Sequence, residues 1–147
     1  MYKVYDLALK VLEEKPIYAE DMTNSTKVAE FINAAIQPQA FAEERTYIIA
    51  LSTKGDVIGY IEHSKGTLNS SLVDVAGIFK FALLCNANSI ILTHNHPSSS
   101  TTPSQEDIQV TRRVKDAGDL LSVPLLDHII TTPNGDYNSI RSNSTIW

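Results

Sequence analysis

Thr93-His94-Asn95-His96-Pro97-Ser98-Ser99-Ser100-Thr101-Thr102-Pro103-Ser104-Gln105-Glu106-Asp107 decides how this chain is read. Two histidines one residue apart end the apolar run Ser89 to Thr93, and Asp107 follows His96 after ten intervening residues. If that run is a strand, alternate side chains share a face, so His94 and His96 point the same way. Two imidazoles and a carboxylate suffice to hold a catalytic zinc ion while leaving a position for water. Taken singly, the histidines read as surface residues of a polar loop and Asp107 as a helix-cap accessory. The ordered spacing of the four groups, Ser104 included, favours the metal reading.

The rest of the chain restricts the setting. At 147 residues with 43% hydrophobic and 20% charged content, a single domain over 1–147 is expected, long enough for a sizeable core. A net charge of -5 with scattered basic residues argues against direct nucleic-acid binding. The sole cysteine, Cys85, excludes an internal disulfide and reads as a buried thiol in a helical pattern. No segment has the ~20 apolar residues of a membrane span and the N-terminus lacks a signal-peptide pattern, so a cytoplasmic protein is expected.

Along the chain, Lys3 to Leu12 alternates weakly and suits an edge strand, with a short helix as the alternative. Pro16 and Asp21 to Ser25 mark a turn region, so residues 1–24 precede a core over 25–140. Ser25 or Thr26 caps a helix bearing Val28, Phe31, Ile32 and Ala35, which Pro38 stops. Thr46 to Ser52 reads as a strand buried on both faces, turning at Lys54-Gly55-Asp56 into a partner from Val57 to His63. A helix is expected over Leu72 to Ala87, a strand over Ser89 to Thr93, and a helix from Pro103 through Leu120. Ser104 and Asp107 have the spacing of a capping box at its start, although such boxes usually end in Glu or Gln. Strands from Leu125 to Thr131 and Tyr137 to Ile140 close the pattern, which by itself leaves α/β and α+β open.

His94-x-His96, seven residues, Ser104, two residues and Asp107 together resemble the JAMM signature of the JAB/MPN metallopeptidase family. His94-Asn95-His96-Pro97-Ser98, Pro103-Ser104-x-x-Asp107 and Thr111 are similar to its RadC branch. So are Gly66-Thr67-Leu68-Asn69, Asn86-Ala87 and Leu125-Leu126-Asp127-His128-Ile129-Ile130. The resemblance covers roughly Ser25 to Ile140. It implies a cytidine-deaminase-like α/β fold, a central mixed sheet between helices. It also implies one zinc ion on His94, His96 and Asp107, with a glutamate as general base. Counting back eight residues from Ser52, at the turn, gives Glu44 as that base, with Glu43 and Glu62 as alternatives. Ser104 is the expected oxyanion donor, and Asp127 and His128 are expected to support the ligands.

The activity implied is a JAMM-type zinc metallopeptidase or isopeptidase acting on a peptide or protein. The alternative is a RadC-like module of a DNA-repair or mobile-element setting that binds zinc without turnover. Zinc-dependent deamination lacks its Cys-x-x-Cys ligand pair. Two departures from the family wording stand out. Ser99-Ser100 replaces Gly-Asp after His96-Pro97-Ser98, which removes a residue suited to positive φ, and Ser52 replaces a turn aspartate. The family's N-terminal helix-hairpin-helix region is not expected within this length. His63 is expected at the surface of a strand end.

Overall fold

The computed structural model describes residues 1–15 and 19–147. Its helices and strands are α1 (Ser25–Phe31), β1 (Arg45–Leu51), β2 (Val57–Lys65), α2 (Val75–Leu84), β3 (Ser89–Asn95), α3 (Gln105–Leu121), β4 (Leu125–Thr131), β5 (Tyr137–Ser139) and α4 (Ile140–Asn143). The strands form one sheet in the order β2-β1-β3-β4-β5. β3 and β4 run parallel, and the other pairings are antiparallel. This is the mixed α/β sheet expected of the fold class.

β1 and β3 are buried along nearly their whole length because both faces are covered. On one side Ile48, Ala50, Ile90 and Leu92 pack against Ile78, Phe79 and Ala82 of α2 and Val110 and Val114 of α3. On the other, Tyr47, Ile49, Leu51, Ile91 and Ile129 pack against Val28, Phe31 and Ile32. α3 presents Asp107, Val110, Thr111, Val114 and Gly118 as one buried stripe. Its polar members lie at the N-terminal end, beside the histidines.

Asn24, not Ser25 or Thr26, caps α1, its side chain accepting from Thr26 N. Ile32–Ile36 widens into a π-helix, and Gln37 turns left-handed before Pro38. α2 starts later than expected because the Asp74 side chain accepts from Gly77 N and sets the cap there. Ser52 holds the turn where the resemblance implies an aspartate. Its Oγ accepts from Lys54 N and Asp56 N, both at 3.2 Å, and Gly55 supplies the positive φ of the turn.

Lys3 to Leu12 forms neither edge strand nor helix. Its apolar side chains are exposed, Val4 at 88% and Tyr5 at 74%, and no strand among the described residues pairs with it. Alternation alone does not make a strand where no neighbour satisfies the backbone. The turn expected at Pro16 lies outside the described residues. Cys85 is half-buried, not buried, and burial raises its thiol pKa. His63 is also half-buried, and burial lowers its pKa against the opposing charge of Asp74. No helix among the described residues is long and apolar enough to cross a membrane.

Candidate metal centre

His94 is the penultimate residue of β3, on the face shared with Ile90 and Leu92, and His96 follows the strand, its backbone N–H donating to Thr131 O at 2.8 Å. α3 begins opposite them. Ser104 caps it by accepting from Asp107 N at 3.0 Å, while Ser104 N–H donates to Asp107 Oδ2 at 2.7 Å. The capping box therefore forms with aspartate in the third position. The same two bonds orient the carboxylate toward the histidines. All three side chains are buried, Asp107 at 2% exposure.

His94 Nε2 lies 2.9 Å from His96 Nε2 and 3.2 Å from Asp107 Oδ1, and His96 Nε2 lies 3.3 Å from Asp107 Oδ2. Four-coordinate zinc with bonds of ~2.0–2.1 Å has ligand-to-ligand edges of ~3.3 Å. The observed triangle is close to that size. Hydrogen-bond chemistry supports the fit as well. His96 Nδ1 lies 2.7 Å from Ser100 O, and a carbonyl only accepts, so Nδ1 carries the hydrogen and neutral His96 presents a bare Nε2. Burial pushes the Asp107 carboxyl up, but the two imidazoles outweigh it and hold it well below the usual carboxylate range. Contact with Asp107 raises the His96 pKa against burial, and the Glu44 charge adds to the rise. An anion and two nitrogens meeting in a buried space call for a positive charge between them.

Ser99 sits at φ 64°, the left-handed region that the family's glycine suits. That turn, closed by Ser99 N–H on His96 O, returns the Ser100 carbonyl to His96. Serine adopts this backbone at a conformational cost.

Sequence reasoning left three glutamates as candidate base, and the register separates them. Glu62 pairs with Tyr47 across β1 and β2, accepts from its hydroxyl at 3.0 Å, and so faces α1, away from His94. Glu43 is exposed and paired with Arg45. Glu44 is half-buried and lies two residues before Thr46, which pairs with His94. Its Oε2 accepts from Leu68 N at 3.3 Å, and its carbonyl from Gly66 N at 2.8 Å.

Asp127 and His128 do not act as a pair. Between Leu125 and Asp127 the β3–β4 register shifts by one residue, so Leu125 and His128 both face α2 and α3. His128 Nε2 meets His94 Nδ1 at 2.7 Å. Burial, with the neighbouring His94, keeps its pKa well below the ordinary histidine value. Asp127 points to the other side. It accepts from Ser139 Oγ at 2.6 Å, Arg141 N at 3.1 Å and the backbone N–H of His128 at 2.7 Å. Burial raises its pKa against those bonds. Its carboxylate thus braces the β5–α4 junction and orients no imidazole.

The family described as RadC-like JAB domain matches residues 22–145. The chain belongs to this family. Its relatives include a UPF0758 protein of Desulfitobacterium hafniense, 50% identical over 91 residues, covering 62% of this chain and 40% of that protein. A UPF0758 protein of Chlorobaculum tepidum is 37% identical over 143 residues, covering 95% and 63%. One of Chlorobaculum parvum is 40% identical over 119 residues, covering 81% and 52%. The chain therefore spans from two fifths to under two thirds of these relatives' length.

Two residues quoted in the resemblance, Asn95 and Thr111, received no role from the sequence. Asn95 sits between His94 and His96 but faces the other way, and nothing in its spacing reveals what it bonds. Thr111 stands four residues after Asp107, so helical spacing already put both on one face. Its hydroxyl touches Asp107 O and His128 Nδ1, each at 2.6 Å.

Proposed function

We propose that this chain is a zinc-dependent hydrolase that cleaves an amide bond, peptide or isopeptide, in a peptide or protein substrate. The observation that carries this reading is the convergence of His94 Nε2, His96 Nε2 and the Asp107 carboxylate, with the Glu44 charge acting on His96. A zinc ion held by these three residues supplies Lewis acidity and lowers the pKa of a water toward ~7.

Glu44 takes the proton of the attacking water as oxygen adds to the carbonyl carbon, and delivers it to the nitrogen as the C–N bond breaks. The Leu68 N–H holds one oxygen of that carboxylate, leaving the other for the proton. Ser104 Oγ accepts from Asp107 N, so its hydroxyl hydrogen is available to the substrate oxygen as negative charge develops there.

The test is cleavage of a library of peptides and isopeptide-linked substrates by the zinc-loaded chain beside Glu44→Ala. Turnover by the wild type that falls ~10²–10⁴-fold in the variant supports the assignment. Equal turnover in both, resistant to a chelator, overturns it. Zinc binding without cleavage of any substrate favours the interaction-module alternative.

A further inference from the structure

We infer that Thr111 and His128 are positioning residues that fix His94 as a metal ligand by dictating which of its nitrogens carries hydrogen. The inference rests on the reading of His94, His96 and Asp107 as a metal site, and extends it to a buried chain of hydrogen bonds behind the ligands.

The direction of that chain follows from counting hydrogens. Thr111 Oγ1 lies 2.6 Å from Asp107 O. Two oxygens at that separation are bonded only with a hydrogen between them, and the carbonyl has none. The hydroxyl therefore donates its single hydrogen to Asp107 O. It must then accept from His128 Nδ1, also at 2.6 Å, so that nitrogen is the protonated one. Neutral His128 presents a bare Nε2, which accepts across 2.7 Å from His94 Nδ1–H. That leaves the lone pair of His94 Nε2 facing His96 and Asp107.

The placement of these residues makes the chain a built feature. His128 is fully buried, as is Thr111, and His94 is 1% exposed, so water does not compete for their hydrogen bonds. The register shift in β4 is what turns His128 toward α3, and α3 brings Thr111 to it one helical turn beyond Asp107. One threonine hydroxyl thus links the backbone of Asp107, through the His128 ring, to the ring of His94. Outer partners of metal-bound histidines orient the ring and raise its basicity.

The experiment compares the full chain with Thr111→Val, Thr111→Ser, His128→Asn and His94→Ala, using zinc affinity by competition with a chromophoric chelator. ¹⁵N NMR of the ring nitrogens in zinc-loaded protein accompanies it. The expected result is zinc binding weakened ~10–100-fold in Thr111→Val and His128→Asn, and restored to within a few-fold of wild type in Thr111→Ser. The wild-type His94 ring should carry hydrogen at Nδ1. Unchanged zinc affinity in folded Thr111→Val, or hydrogen at His94 Nε2 in the wild type, overturns the inference even where His94→Ala abolishes binding. Wild type and His94→Ala binding zinc equally removes the metal reading itself. If His128→Asn does not fold, the Thr111 pair and the wild-type spectrum still decide.

Discussion

Asn95 holds Glu44 in place without touching its side chain. Asn95 Oδ1 accepts from Arg45 N at 2.7 Å, and its Nδ2 donates to Glu43 O at 3.0 Å, gripping the backbone on both sides of Glu44. The residue between His94 and His96 thereby ties the strand of the candidate metal site to the segment of the proposed base. Replacing it with alanine removes both bonds and leaves the half-buried Arg45 N–H without this partner, which costs roughly 1–3 kcal/mol. Urea unfolding of Asn95→Ala should show that loss, with zinc stoichiometry retained. Wild-type stability in this variant would mean that the clamp carries no energy.

Ser99 offers a test with the opposite sign. Its left-handed backbone costs an L-residue roughly 1–2 kcal/mol, of which glycine's extra chain entropy takes back about 0.5–1. Ser99→Gly should therefore stabilise the protein by about 0.5–1 kcal/mol in chemical denaturation. A destabilised variant would contradict the assignment of strain to this turn.

Gly118 fixes the seat of α3 on the sheet. A Cβ there would lie 2.6 Å from Val123 O and 3.2 Å from Leu125 N, both backbone atoms at the entry to β4. Gly118→Ala must push helix and strand apart, for a loss of about 1–3 kcal/mol. The midpoint of urea unfolding should fall accordingly.

The centre should also give the metal-free protein a characteristic pH dependence. The His96 pKa is raised by Asp107, so this contribution is complete below the ordinary ~6.5 and is lost as pH rises through the raised value. The Asp107 pKa is lowered despite burial, so its contribution is present above the ordinary ~3.9 and is lost as pH falls through the lowered value. The pair thus favours the metal-free fold most between those ordinary values. Zinc competes with the proton on these ligands, so the zinc-induced rise in Tm should be larger at about pH 7.5 than at about pH 5.5. Thermal melts with and without zinc check this, and the reverse order would count against the ligand set.

The sequence carried the site further than it carried the edges of the fold. His94, His96 and Asp107 were legible because strand alternation and a helix cap both act over a few residues. What depended on register was not. The resemblance pointed to Glu44 over Glu62, but only the pairing of Tyr47 with Glu62 shows that Glu62 turns to the α1 face. His128 and Asp127 look like neighbours, yet one extra residue in β4 decides which of them meets His94. The alternation from Lys3 to Leu12 failed as a strand signal for a related reason, since periodicity describes a face and does not provide the partner that would cover it.

The most direct test of the account is the zinc content of the purified chain beside His96→Ala and Glu44→Ala. One zinc ion per wild-type chain, lost in His96→Ala and kept in Glu44→Ala, is the expected result, because Glu44 stands outside the ligand triangle. Stoichiometric zinc in a folded His96→Ala variant, or its loss in a folded Glu44→Ala variant, would contradict it.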